Sequence, residues 1–218
     1  MKILVVAATH SEIEPLHSYL EKSGSKTSFE INGHQIDILM SGVGMVATAF
    51  CMGRHLAKNS YDLAINLGIC GSFDFDLNLG EVVLITEDVF AEQGAEDGDE
   101  FISIDKLGFG KASQISQTEI KLILPTLEKL KKVKAITVNK VHGNELSISK
   151  TLSHINASVE SMEGAAFFYA CNQNQLPSLQ IRAISNFVER RNREKWNIGK
   201  AIKNLNSFAF ELFESIPK

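Results

Sequence analysis

Ile3-Leu4-Val5-Val6-Ala7-Ala8 is an unbroken run of six apolar residues, and Thr9-His10-Ser11-Glu12 follows it at once. Apolar residues without alternation read as a strand buried on both faces, inside a sheet that helices cover. The run is too short for the apolar segment of a secretion signal, and Lys2 is the only basic residue before it. Working outward, Ser11–Ser23 carries Ile13, Leu16 and Leu20 at helical spacing. Thr27–Ile31 and Gln35–Met40 flank Asn32-Gly33, a hairpin signal. Gly44–Lys58 reads as a helix, Leu63–Leu67 and Val82–Ile85 as buried strands, and the acidic Ala91–Glu100 as a loop. Thr118–Lys131 reads as a helix, Lys134–Asn139 as a strand, Met162–Asn174 as a helix and Leu179–Ser185 as a strand. Glu194–Phe213 reads as a closing amphipathic helix. Alternating strands and helices with intervening hairpins predict one α/β domain over residues 1–218. Its expected form is a three-layer α/β/α sandwich around a mixed, twisted central sheet.

Composition sets bounds on function. The 218 residues are 44% hydrophobic and 22% charged, enough apolar material for one large core. A net charge of −4 gives no electrostatic footprint for nucleic acid, so none is expected as a partner. No stretch reaches the roughly 20 apolar residues of a membrane helix, so no membrane partner is expected either. Cys51, Cys70 and Cys171 stand singly, which suits a reducing, cytoplasmic setting. With six histidines and three cysteines showing no ligand spacing, neither a metal nor an organic cofactor is expected.

Individually the polar signals are bland. Ser41-Gly42-Val43-Gly44 closes a strand and opens a helix, where glycines let backbone N–H groups approach a ligand or simply make a tight turn. Gly68-Ile69-Cys70-Gly71-Ser72 reads as a second glycine turn after a buried strand, and neither turn is followed by the lysine of a phosphate-binding loop. Glu12 and Glu163 each open a helix, where the helix dipole alone favours a glutamate. Glu160 has no assigned role. Asn186 ends a strand, as many turn-forming asparagines do. Their joint placement is more telling, because polar residues at the ends of separate buried strands, beside glycine turns, mark the crevice where open α/β sheets bind ligands.

Several of these segments resemble the purine nucleosidase and phosphorylase superfamily: Met1 through Glu12, Ser41 through Ala47, Ile65-Asn66-Leu67-Gly68 with Gly71, Val159 through Ala165, and Arg182-Ala183-Ile184-Ser185-Asn186. They run in order along nearly the whole chain. The stretch resembles methylthioadenosine/S-adenosylhomocysteine nucleosidases, except that those have aspartate where Asn186 stands and lack Arg191-Asn192-Arg193-Glu194-Lys195-Trp196-Asn197-Ile198. That segment, Phe90-Ala91 with Gly94 through Gly98, and Thr137-Val138-Asn139 are similar to the futalosine hydrolases, which release hypoxanthine from futalosine in menaquinone biosynthesis.

The resemblance implies a nucleoside phosphorylase-like fold and a small-molecule nucleoside substrate. It implies a homo-oligomer, most simply a dimer, in which a neighbour helps to close the pocket. It makes Glu12 the base that activates water, Glu163 the partner of the ribose hydroxyls and of the developing cation, and Asn186 the partner of the leaving purine. Met162 would pack on the sugar, and Gly44, Gly71 and Ser185 would help to form the substrate pocket. The carboxylate on the substrate's far arm needs a donor. Arg191 and Arg193, in the basic cluster with Arg190 and Lys195, are the candidates, against a plain solvated loop. No Arg or Lys lies between Lys2 and Lys22 or between Lys58 and Lys106, which favours hydrolysis over phosphorolysis. Three readings stay open: futalosine hydrolase, another purine nucleosidase, and a non-catalytic nucleoside-binding protein.

Overall fold

The computed structural model describes residues 1–21, 28–116 and 125–217. Its central sheet contains nine strands among the described residues. β1 (Lys2–Ala7) lies between β3 (His34–Met40) and β4 (Leu63–Ser72), parallel to both, and β2 (Ser28–Ile31) pairs antiparallel at the edge. The β2–β3 hairpin turns on Asn32 and Gly33, with φ of 52° and 80°, the left-handed pair that such a turn requires. On the other side of β4 come β11 (Ser178–Phe187), β5 (Val82–Phe90), β9 (Lys131–Thr137) and β10 (Val159–Ser161). The short β8 (Ser113–Gln114) adds to β5.

β10 also pairs back onto the end of β4, at Val159↔Ser72 and Glu160↔Gly71. Five strands thereby close on themselves. Register shifts at Ile184/Asn186 in β11 and Ile85/Glu87 in β5 supply the local bend that closure needs. β1 shows why its sequence does not alternate. Ile3, Val5 and Ala7 enter one core with Leu205, Ala209 and Leu212, whereas Leu4 and Val6 enter a second with Met52, Phe167 and Phe168. The first core lies under α1 (His10–Glu21) and α6 (Ile198–Ser215), the second under α2 (Met45–Leu56) and α5 (Gly164–Gln173). The sandwich therefore has three layers around a mixed sheet, as the pattern predicts. Leu212 is fully buried, and truncation of such a residue to alanine typically costs about 2–5 kcal/mol.

Several expectations need correction. Gly68–Ser72 is not a turn; it is the second half of β4. Its glycines answer a need for close approach, since a Cβ on Gly68 would run into the Arg182 guanidinium. Ala91–Glu100 is not a plain loop; it contains β6 (Gly94–Asp97) and the start of β7 (Glu100–Ser103), an exposed hairpin whose acidic residues face water. Of Thr118–Lys131, residues 118–124 lie outside the described set; α3 (Pro125–Glu128) is helical, and Lys131 already belongs to β9. The final helix starts at Ile198, not Glu194, after a single tight turn at Arg193–Lys195. The sequence reading also lacked α4 (Glu145–Leu152), which Asn144 caps by accepting from the Leu146 and Ser147 N–H groups.

Candidate active site

The ends of β1, β4, β10 and β11 surround a cavity of about 450 Å³. Of the expected site residues, Glu12, Gly71, Met162, Glu163, Ser185, Asn186 and Arg191 line it; Gly44 and Arg193 do not. Ile69, Val43, Val141 and Trp196 give it apolar walls.

Glu12 is held by the way α1 begins. Pro15 removes a backbone donor, the chain leaves helical geometry at Ile13, and a separate first turn carries Glu12. Asn206 of α6 is buried beside this break; its side-chain amide donates to the Glu12 carbonyl at 2.8 Å and accepts from Leu16 N–H at 3.0 Å. Glu12 Oε2 accepts from the Thr9 N–H at 2.9 Å and hydroxyl at 3.1 Å, and Oε1 accepts from Ile69 N–H at 3.2 Å. The carboxylate is buried yet borders the cavity, which is the placement a general base for bound water requires.

Glu163 stands at the N-terminus of α5 without capping it. Its Oε1 accepts from Gly44 N–H at 3.0 Å and its Oε2 from Met162 N–H at 3.2 Å. The Ser41–Gly44 turn is real, with φ of 81° at Gly42 and 95° at Gly44, but the Gly44 N–H is spent on Glu163 and not on a ligand. Behind Glu163 lies Arg182, fully buried, with Nη1 at 3.7 Å from Oε2. Arg182 donates to Asn66 Oδ1 at 2.5 Å and to Gln180 Oε1 at 3.1 Å. Gln180 donates to Asp88, Thr137 donates to Asp88, and Ala165 N–H donates to Thr137 Oγ1, which ties the start of α5 to β5, β9 and β11. Burial lifts the Asp88 carboxyl to about 6, against the downward pull of Thr137, Gln180 and Arg182.

Asn186 sits just past the β11 bulge, opposite Gly71 of β4. Its Oδ1 accepts from the Ser185 hydroxyl at 2.8 Å, and its Nδ2 donates to Phe187 O at 3.1 Å. Oδ1 then keeps one lone pair and Nδ2 one hydrogen for a ligand. At the mouth, the Arg191 guanidinium lies 5.0 Å from the centroid of the Trp196 ring, and both border the cavity. Arg193 is exposed on the neighbouring turn and does not border the cavity.

Other lining residues escaped the sequence reading. Ser161 Oγ is buried without a partner among the described atoms. Glu160 accepts from His142 N–H at 2.9 Å, and His142 Nδ1 lies 2.6 Å from its other oxygen. Proximity to Glu163 was the available signal for Glu160; a lone charge in an apolar strand was the signal for Arg182. Among the described residues no group of three or more His, Cys, Asp or Glu could hold a metal ion. No described helix is long and apolar enough to cross a membrane.

Comparison with known proteins gives the family and the fold. A futalosine hydrolase of Streptomyces coelicolor is 27% identical over 216 residues, covering 94% of this chain and 92% of that protein. A 5′-methylthioadenosine/S-adenosylhomocysteine nucleosidase of Glaesserella parasuis is 28% identical over 208 residues, covering 87% of each. The crystal structure of the corresponding nucleosidase from Neisseria meningitidis, in complex with methylthio-immucillin-A, superposes with a TM-score of 0.82 at 19% identity over 99% of both chains, a likeness of fold. Residues 2–214 match the family described as the phosphorylase superfamily, and the chain belongs to it.

Proposed function

We propose that this enzyme hydrolyses the N-glycosidic bond of futalosine, releasing hypoxanthine and dehypoxanthine futalosine, in the cytoplasmic route to menaquinone. The observation that carries the reading is the Asn186 amide on the wall of the cavity shared with Glu12 and Glu163, where its Nδ2 keeps a second hydrogen beyond the one given to Phe187 O. An amide N–H can donate to purine N7, and it also suits a neighbouring 6-oxo group; a 6-amino group would set donor against donor.

The residues divide the reaction between them. The C1′–N9 bond breaks, and its electron pair leaves with the base as an anion that the Asn186 N–H stabilises. Glu12 takes a proton from water as the water oxygen bonds to C1′, and releases it to balance the proton that the purine anion takes up. Until the water adds, the ribose carries oxocarbenium character. Glu163 stabilises it as a carboxylate fixed by backbone donors and backed by Arg182. Arg191, over Trp196 at the mouth, is the donor proposed for the carboxylate on the far arm.

A second reading, a nucleosidase for methylthioadenosine or S-adenosylhomocysteine, is favoured by the 28% identity to the Glaesserella parasuis enzyme. Asn186 weighs against it. Hydrolysis rather than phosphorolysis is supported by the lining, in which Arg191 is the one Arg or Lys among the described residues. We also propose a homodimer, since Val43, which borders the cavity, and Val46 and Phe50 of α2 are all exposed. The test is hypoxanthine release from futalosine in phosphate-free buffer with oxygen-18 water. The label should enter the ribose, and added phosphate should not speed the reaction; a phosphate requirement would overturn hydrolysis.

A further inference from the structure

Asn186, Gly71 and Glu160 form one row across three neighbouring strands: Asn186 pairs with Gly71 between β11 and β4, and Glu160 pairs with Gly71 between β10 and β4. A Cβ on Gly71 would lie 2.8 Å from Val188 Cγ2, 3.2 Å from Asn186 Nδ2 and 3.6 Å from Glu160 Cγ, so the side chains of Asn186 and Glu160 both approach the place of the missing one. Asn186, Gly71 and Glu160 all line the cavity. The absent side chain at Gly71 lets Val188, Asn186 and Glu160 pack close together, which puts an amide side chain and a carboxylate side chain on one stretch of the cavity wall.

Glu160 is buried, and its recorded partners are the His142 N–H and the His142 ring. An ionised carboxylate has about four acceptor positions. Two are used, which leaves acceptor capacity on a buried group that borders the cavity. His142 is itself held by a contact of 3.0 Å between its Nε2 and Thr151 Oγ1, so the carboxylate cannot easily turn away. We propose that Glu160 is the residue that reads purine N1, accepting the N1–H of a 6-oxopurine and repelling the bare N1 lone pair of a 6-aminopurine.

This deepens the reading above, because it rests on a 6-oxopurine occupying the cavity. The complementarity then spans two adjoining edges of the base, on either side of the 6-oxo group: Asn186 donates to N7 and Glu160 accepts from N1–H. Burial raises the Glu160 pKa and the hydrogen bonds of His142 oppose that rise. A further donor from the ligand favours the ionised form in the same way.

The test is equilibrium binding of hypoxanthine, adenine and 1-methylhypoxanthine to the native protein and to Glu160→Gln, with futalosine turnover measured alongside. Native protein should bind hypoxanthine about 10- to 100-fold more tightly than 1-methylhypoxanthine, the range for a hydrogen bond to a charged group. Glu160→Gln should lower the preference for hypoxanthine over adenine by about tenfold or more, because its amide can donate to adenine N1. A purely structural role would weaken both bases alike and leave that preference unchanged, and this result would overturn the proposal. Equal native binding of hypoxanthine and its 1-methyl derivative would overturn it without any variant. Futalosine turnover with an unchanged preference would remove Glu160 alone. A Glu160-dependent preference without futalosine turnover would support Glu160 and remove only the substrate reading.

Discussion

Arg182 Nη1 lies 3.7 Å from Glu163 Oε2, with the guanidinium fully buried in β11 and the carboxylate at the cavity wall. The absent side chain of Gly68 makes room for it: Arg182 Cζ and Glu12 Oε1 each lie 3.1 Å from where a Gly68 Cβ would stand. One buried cation thus underlies both proposed catalytic carboxylates. Removing one partner of such a pair leaves the other charge uncompensated, typically at about 3–5 kcal/mol. Arg182→Met is expected to lower the urea midpoint accordingly; stability within about 1 kcal/mol of the parent would show that the pair is not what holds this region.

Glu12→Gln should keep the fold and reduce kcat by about 10²- to 10⁴-fold, as for loss of a general base. Glu163→Gln should act mainly on kcat if its charge meets the developing cation. A rise in KM alone would reassign Glu163 to ribose binding, and turnover within a few-fold of the parent would remove Glu12 as the base.

Asp88 provides a pH signature. Its folded carboxyl is raised from 3.8 to about 6, so the folded chain holds this proton more tightly than the unfolded chain does. Its contribution to stability is therefore full below about pH 4 and is lost as pH rises through about 6, up to about 3 kcal/mol in all. Asp88→Asn should remove that decline. Urea unfolding of both proteins across this range checks it, and parallel curves would contradict it.

Arg191 and Arg193 separate cleanly. Arg191→Ala is expected to raise KM for futalosine about tenfold or more, since a charged hydrogen bond is lost. Arg193→Ala should leave KM unchanged. Kinetics of the two variants decide, and an unmoved KM in Arg191→Ala would place the carboxylate elsewhere.

The layers were legible in the sequence because burial on both faces leaves an unbroken apolar run, as in Ile3–Ala7, and because Asn32-Gly33 has few alternatives to a hairpin turn. The closed part of the sheet was not. It depends on the three-residue β10 and on bulges that leave no periodic trace. Glycine was the main source of misreading. Gly68 and Gly71 are signals of turn and of close approach alike, and only the position of Arg182, Glu160 and Asn186 distinguishes the two. The cavity residues that touch strand ends could be anticipated from the motifs, whereas a basic cluster does not show that Arg191 borders the cavity and Arg193, on the tight turn that follows, does not.

The most direct measurement is kcat/KM for release of the base from futalosine, its 6-amino counterpart, inosine and methylthioadenosine, side by side, with native protein and with Asn186→Asp. Futalosine should lead the native series by several powers of ten over its 6-amino counterpart, since a site built to hydrogen-bond its substrate rejects a mismatched one strongly. Asn186→Asp should shrink or reverse that ratio, because a protonated aspartic acid donates to N7 and still accepts from the amine. A native preference for methylthioadenosine, or equal rates on the 6-oxo and 6-amino substrates, would contradict the account.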